Sequence, residues 1–301
     1  MAISRGQLVK ELEPGLNALF GLEYNNYANE HAEIFDTENS DRAFEEEVML
    51  SGFANAPTKA EGTSVSFDSA QETYSARYTH ETLALAFAIT EEAIEDNLYD
   101  RLASRYTKAL ARSMANTKQV KAANVLNNAF TTENGGDGKA LCAADHPIVA
   151  GTEQNELTTP ADLNETSLEQ SLIDIAAMTD ERGLKIAAKG MKMIVPSALQ
   201  FTAERLMKSA NRVGTADNDI NALSNMGMIP QGYVVNHYLT DTNAFFIKTD
   251  VPNGLKHFVR SPMKTAMEGD FTTGNVRYKA RERYSFGFSD FRGIFGSPGI
   301  S

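Results

Sequence analysis

The chain has 301 residues, 42% of them hydrophobic, with 40 acidic against 28 basic side chains and a formal net charge of −12. That length and apolar content support one or two domains with a real core and exclude a disordered polymer. The acidic balance argues against wrapping nucleic acid, which needs cations to neutralise phosphates, and a single cysteine, Cys142, excludes an internal disulfide and suits a reducing compartment.

The opening stretch, MAISRGQLVKELEP, lacks the apolar core of a signal peptide, and no apolar run approaches the ~18–20 residues of a membrane span. A soluble protein with no membrane partner is expected. Leu8, Leu12, Leu16, Leu19 and Phe20 mark an amphipathic helical piece that Pro14 should bend or end. Asn25, Asn26, Asn29 and Asn39 then suggest irregular chain. Glu45, Glu46 and Glu47 close the segment. They read either as a solvated charge run or as an arm that seeks a basic surface on another subunit.

Residues 48–89 change character. Val65 and Phe67 alternate with Ser64, Ser66 and Asp68, as in a half-buried strand. Tyr74, Ala76 and Tyr78 alternate in a second arm, with 68–72 as the turn, and Leu83, Leu85, Phe87 and Ile89 share one face further on. The expectation is a long hairpin with too little apolar surface at its tip to fold upon itself. Such a hairpin is marginal alone and can gain order by lying on a neighbouring molecule.

Residues 90–130 read as one long helix. Thr90 is a suitable N-cap, with Glu91 and Glu92 in the first turn where the helix dipole favours them. Ile94, Leu98, Leu102, Tyr106, Leu110 and Met114 follow at steps of four; Val120, Ala123, Leu126 and Phe130 continue the stripe, with no Pro or Gly between. At 1.5 Å per residue the rod would be about 60 Å long, far beyond the usual helix of roughly 11–12 residues.

The glycine-rich turn after it, 134–138, lacks the GK[ST] ending of a phosphate loop. Cys142 stands four residues before His146, a pair that could supply a nucleophile and base. Pro147 argues against a helix holding the two on one face, so a structural, half-buried cysteine is the expectation. Leu163 to Arg182 reads as a helix with Thr166 and Glu169 at capping-box spacing, Leu168, Leu172, Ile175 and Met178 as its stripe and Gly183 past its end. A strand at 191–195, a helix from Pro196 to about Ser209, and short strands at 233–239, 244–248 and 255–260 complete an α+β tract. Asp217, Asp219 and Asn221 imitate the start of a calcium loop, but Ala222 and Met228 replace its glycine and closing glutamate.

Asn275 to Ser289 is the clearest strand. Val276, Tyr278, Ala280, Tyr284, Phe286 and Phe288 should point one way; Arg277, Lys279, Arg281 and Arg283 should point the other. Like charges on one strand face are unfavourable unless solvated or opposed by acid. The row reads as a solvated face or as a seat for an acidic segment of another subunit. His31, His80, His146, His237 and His257 are scattered without metal-ligand spacing, and no GxSxG, HExxH or GxGxxG occurs. No cofactor and no metal are expected.

Several stretches together resemble a known family. These are LCAADHPIVAGTEQN (141–155), DERG (180–183), Ile194-Val195-Pro196, GTADNDINAL (214–223), LKHFVR (255–260) and YKARERYSFGFSDFRGIFGSP (278–298). They are similar to major capsid proteins of tailed bacteriophages, in particular the Mu-like major head subunit group, in order across 141–298. The resemblance implies the Hong Kong 97 capsid fold, an α+β architecture with a long spine helix, an extended β-hairpin E-loop, a peripheral domain and an axial domain. On that plan 1–47 is an N-terminal arm, 48–89 the E-loop and flanking strands, 90–162 the peripheral domain with the spine helix, 163–261 the axial domain and 262–301 the returning peripheral strand.

The resemblance implies a structural, non-enzymatic subunit that assembles with itself into pentamers, hexamers and an icosahedral shell around double-stranded DNA. It would not read DNA sequence. Portal, scaffold or decoration proteins are its implied partners, and the virion its location after synthesis in the bacterial host cytoplasm. Some relatives crosslink through an E-loop lysine; Lys59 lies in that region, but no matching asparagine is evident and no crosslink is expected. Glu45, Glu46, Glu47, Lys59, Arg277, Lys279, Arg281 and Arg283 are the candidate intersubunit contacts. Three rival readings stand beside it: an encapsulin-like nanocompartment shell, a thiol hydrolase using Cys142 and His146, and a DNA-binding protein resting on the Arg277–Arg283 face.

Overall fold

Strand pairing between distant segments organises the chain; the computed structural model describes residues 5–90, 92, 99–132, 135–212, 219–270 and 274–300. The first sheet has the order β1 (Asp36–Asn39), β10 (Leu255–Gly269), β11 (Val276–Phe288), β4 (Glu81–Ile89). β1 runs parallel to β10, and the other neighbours are antiparallel. The β10–β11 register shifts on either side of Ser261, beside Pro262. Proline cannot donate to the ladder, so a bulge is the natural place for it.

After a short hairpin of β5 (His146–Ile148) and β6 (Gly151–Glu153), the second sheet has the order β12 (Ile294–Ser297), β9 (Phe245–Thr249), β7 (Gly190–Pro196), β8 (Tyr233–Asn236). Its central strands are apolar at successive positions because both faces are covered. Met193, Val195, Phe245 and Ile247 face a core built with Leu168, Leu172 and Ile175 of helix α3 (Glu165–Ala177) and Ala203 and Leu206 of α4 (Gln200–Lys208). Ile194 and Phe246 point to the opposite side, into a second core with Ala122, Leu126, Leu141 and Cys142. β10 passes unbroken through residue 261, the expected end of the axial segment, and β12 joins the sheet of β7 to β9.

Helix α2 (Tyr99–Asn127) is the central rod, 29 residues and about 44 Å long. Residues 91 and 93–98, which carry the start of the expected helix, lie outside the described residues; past Asn127 the chain turns rather than continuing to Phe130. Its buried face is Ala103, Thr107, Leu110, Ala111, Met114, Ala115, Gln119, Ala122, Ala123 and Leu126. Tyr106 is 49% and Val120 38% exposed, so the expected stripe is corrected there. Steps of four overshoot a turn by about 40° each, and such a series walks off the buried face. Alanines let the rod sit close to the sheet, a role that a search for large apolar residues overlooks.

Helix α1 (Arg5–Asn25) runs through Pro14 instead of ending there. Leu16 and Phe20 are buried with Ala103, Leu110, Met114, Tyr278 and Ala280, so α1 folds back onto α2 and the first sheet of its own chain. Asn17 Oδ1 accepts bonds from Thr265 Oγ1 (2.7 Å) and Tyr278 Oη (2.9 Å). α3 starts at an Asn164 N-cap whose capping-box partner is Ser167, displacing the expected Thr166–Glu169 pair. Gly183 has φ of 78° but serves a tight turn, where Gly183 N donates to Asp180 O, not the helix end. Of the calcium-like residues, Asp217 lies outside the described residues, and Asn221 instead caps α5 (Ala222–Met226).

Candidate assembly surfaces

The hairpin differs from its expected form. Its first arm is β2 (Phe44–Leu50), paired antiparallel with β3 (Glu72–Thr79). Val65–Phe67, expected as that arm, has no strand partner among the described residues. The glutamate run therefore belongs to a strand. Glu47 faces inward and accepts bonds from Lys256 Nζ and Ser289 Oγ. Glu45 accepts from Ser40 Oγ at 2.7 Å, and Glu46 pairs with Arg77 at 3.7 Å. All three glutamates thus have partners within the chain, and the two-stranded stem is tied to the first sheet by buried polar contacts. Tyr78 and Ser289 share one hydroxyl bond, and His80 joins Ser40 (2.8 Å) to Ser285 (3.0 Å) at the elbow between β3 and β4. Gly287 makes room for this stem: a Cβ there would lie 2.7 Å from the Tyr78 ring.

Beyond the stem, Ser51 N donates to Gln71 O at 2.9 Å and closes a neck. The loop past it carries apolar side chains into solvent: Phe53 is 61% exposed, Val65 65% and Phe67 95%. Phe44, Val48 and Leu50 on the stem are 38%, 49% and 62% exposed. Large exposed apolar side chains gathered on one element make it a candidate contact surface. Lys59 lies exposed in the same loop.

β11 keeps the expected alternation from 276 to 284, with one addition. Glu282 shares the inward face with Ala280 and Tyr284. It accepts bonds from Lys118 Nζ and Tyr24 Oη, each at 3.3 Å, and burial raises its carboxyl above the usual range. On the outward face Arg277, Lys279 and Arg281 are exposed and Arg283 half-buried. Across from them stand Ala88, Ala86, Ala84 and Thr82 of β4, and Glu268, Ala266, Lys264 and Ser261 of β10. Arg277 has Asp270 as an ion-pair partner, and Arg283 donates to Ala43 O at 3.5 Å. Among the described residues no acid lies within ion-pair range of Lys279 or Arg281, and Lys264 stands opposite Arg281 as a fifth positive charge.

Cys142 and His146 do not form a catalytic pair. Cys142 is 2% exposed in an apolar core, and burial raises its thiol well above the ordinary value. A thiol kept protonated is a poor nucleophile. Expected half-buried, the cysteine is fully covered. His146 is spoken for: its Nδ1 lies 2.6 Å from Asp137 Oδ2, its Nε2 3.1 Å from Asn155 Oδ1, and its ring stacks on Phe291 with centroids 3.8 Å apart.

Sequence reasoning missed the other members of this junction. Asn155, fully buried, donates through Nδ2 to the carbonyls of Leu141, Phe291 and Ile294 at 2.7–3.1 Å and accepts from Ala143 N at 2.9 Å. Arg292, 2% exposed, donates to Thr179 O (2.7 Å), Asp290 Oδ1 (3.2 Å) and Glu181 Oε1 (2.9 Å). Both fall inside the stretches LCAADHPIVAGTEQN and DFRGIF, a signal that was available without its meaning. The cluster holds loops from four parts of the chain together.

The Cys142 thiol and the His146 ring are consumed in packing, while an extended apolar hairpin and a basic row face solvent, a distribution that suits contact with protein. It is a structural protein. The chain belongs to the phage capsid protein family, whose sequence profile matches residues 72–296. No curated protein sequence matches it. Among solved structures it is similar to the capsid of an empty GTA particle (14% identity, 91% of each chain covered, TM-score 0.59). It is also similar to a virus-like particle from Pyrococcus furiosus (10% identity, 94% of this chain and 97% of that one, TM-score 0.55) and to mycobacterium phage Che8 (16% identity, 90% and 92%, TM-score 0.51). At these identities the likeness is one of fold: an α+β capsid-protein fold spans nearly the whole chain.

Proposed function

We propose that this chain is the major capsid subunit of a tailed bacteriophage, close to the Mu-like head subunits and of Hong Kong 97 type. It assembles into pentamers and hexamers that close an icosahedral shell around double-stranded DNA. The exposed hairpin carries this reading: Phe67, 95% exposed at the end of a tied stem, has no use in a solitary molecule. Each contact between copies can be weak, because every subunit makes several and a closed shell gains by multivalency. An acidic subunit suits a container whose lining should not grip the DNA that must enter and leave.

In this reading the sheet β1-β10-β11-β4 with α1 and α2 is the peripheral domain, and the sheet β12-β9-β7-β8 with α3 and α4 is the axial domain. The domain limits then follow sheet membership, with the return near β10 and the last strand given to the axial side. Lys59, Lys279 and Arg281 are the intersubunit candidates without an ion partner among the described residues. Synthesis in the host cytoplasm and dealings with portal, scaffold or decoration proteins belong to the same proposal. Negative-stain microscopy of the purified protein tests it: closed particles are expected, and a protein that stays monomeric at high concentration would sink it.

The likeness to the virus-like particle favours a second reading, an encapsulin-like nanocompartment shell. The contents of particles recovered from the native host decide between them: nuclease-protected genomic DNA for the capsid, a cargo protein for the compartment.

A further inference from the structure

The segment between α1 and β1 is fastened to α2 by one side-chain amide. Gln119 is 3% exposed on α2. Its Oε1 accepts the His31 backbone N–H at 3.1 Å, and its Nε2 donates to Ala28 O at 3.1 Å. Those two bonds fix which end of the amide is which. Nε2 therefore meets His31 Nδ1, 2.9 Å away, as a donor. The imidazole nitrogen has to accept, so its ring proton belongs on Nε2. A proton on Nδ1 would set donor against donor. Turning the amide would serve Nδ1 but break both backbone bonds in a buried place.

The surroundings offer no relief. His31 meets the edge of His257, with centroids 5.2 Å apart, and His257 stacks on Phe286 at 4.3 Å. His257 Nδ1 lies 3.3 Å from Thr37 Oγ1, while its Nε2 is buried without a partner. From α2 the facing charge is Lys118; from β11 it is Glu282, already engaged by Lys118 and by Tyr24 of α1, with the Tyr284 hydroxyl beside it. Lys256 of β10 turns to Glu38 and Glu47, and Glu30 and Glu33 of the segment itself turn to His237 and Lys192. Asp36 of β1 turns to Lys248, so among the described residues these carboxylates are all engaged elsewhere. Burial first, and Lys118 second, hold His31 at about 4 and His257 at about 3, below the ordinary 6.5.

We propose that His31 and Gln119 form an acid-released latch: a proton taken up by His31 frees the N-terminal segment, α1 included, from α2 and the sheet beneath it. The freed state holds its histidine protons more tightly than the fastened one. Fastening is thus complete above the ordinary histidine value and is lost as pH falls from there toward the values in the fastened state. For His31 alone, linkage makes opening about 20-fold more frequent near pH 5 than near pH 7. His257 acts in the same direction. The latch does not depend on shell formation.

Amide hydrogen exchange on the full soluble chain tests it, with rates corrected for intrinsic pH dependence. Between about pH 7 and pH 5, peptides covering 14–35 should lose protection by roughly an order of magnitude while β7 and β9 keep theirs. Gln119→Glu should remove the His31 share, because a carboxylate accepts from protonated Nδ1. His31→Gln should likewise shrink the pH dependence to the share that His257 supplies. An unchanged native profile, or a Gln119→Glu profile identical to the native one, overturns the latch. If His31→Gln fails to fold, the native and Gln119→Glu measurements decide alone.

Discussion

Arg292 shows how much one side chain can organise. Its guanidinium stacks on Phe291 and reaches Thr179, Glu181 and Asp290, so it binds the segment after β11 to the loop after α3. Removing it would leave Glu181 and Asp290 buried without compensation. Breaking a buried pair from one side costs about 3–5 kcal/mol. Arg292→Met should lower the stability of the unassembled subunit by that order, measured by denaturant unfolding, and adding Glu181→Leu should recover part of it. No recovery in the double variant would mean that the loops, not the charges, carry the junction. Cys142 belongs at this scale too. Cys142→Ala removes one buried sulfur atom, so closed particles should still form under the microscope; loss of particles with a folded subunit would give the thiol an unforeseen role. The sequence showed which stretches were unusual here. It could not show that Asn155 and Arg292 act together, because half of their partners are backbone carbonyls, which leave no mark in the composition.

At the scale of elements, regular periods were legible and tertiary partners were not. β11 was readable to within a residue because its alternation holds over nine positions, and even Glu282 keeps the parity. The run of three glutamates hid β2, since charge normally signals solvent; Glu47 turns inward only because Lys256 and Ser289 meet it there. Ser64–Asp68 alternates like a strand yet has no strand partner among the described residues, a place where local pattern and subunit structure disagree. A local pattern unmet within the chain is evidence for a contact outside it. Replacing 57–73 with a short Gly/Ser turn should therefore give a soluble, folded subunit that no longer closes shells. The replaced residues contribute almost nothing to either core, so the thermal unfolding of the subunit should hardly move. Normal particles by electron microscopy would contradict this, and would return the apolar loop to an accident of the surface.

For the whole molecule, chain order gives little guidance to sheet order. β1 pairs with β10 across most of the chain, and β12 returns past β10 and β11 to close the sheet of β7 to β9. Long-range pairing of this kind follows from packing rather than from any local signal, so the layout came from family resemblance and not from periodicity. One consequence is a basic outer face on the first sheet, where Lys279, Arg281 and Lys264 stand beside alanines in a chain of net charge −12. Within the subunit this crowding is mildly unfavourable, as like charges opposite one another are. Lys279→Glu with Arg281→Glu should therefore help the isolated subunit slightly, by giving Lys264 an acid across the strand. If the row seats an acidic surface of a second copy, the same change places acid against acid between subunits. Unfolding of the monomer and yield of shells should then move in opposite directions. Added salt should narrow the difference, since exposed charges are screened beyond about 10 Å at 0.1 M. Shells formed at native yield and native salt dependence would leave the row a solvated face.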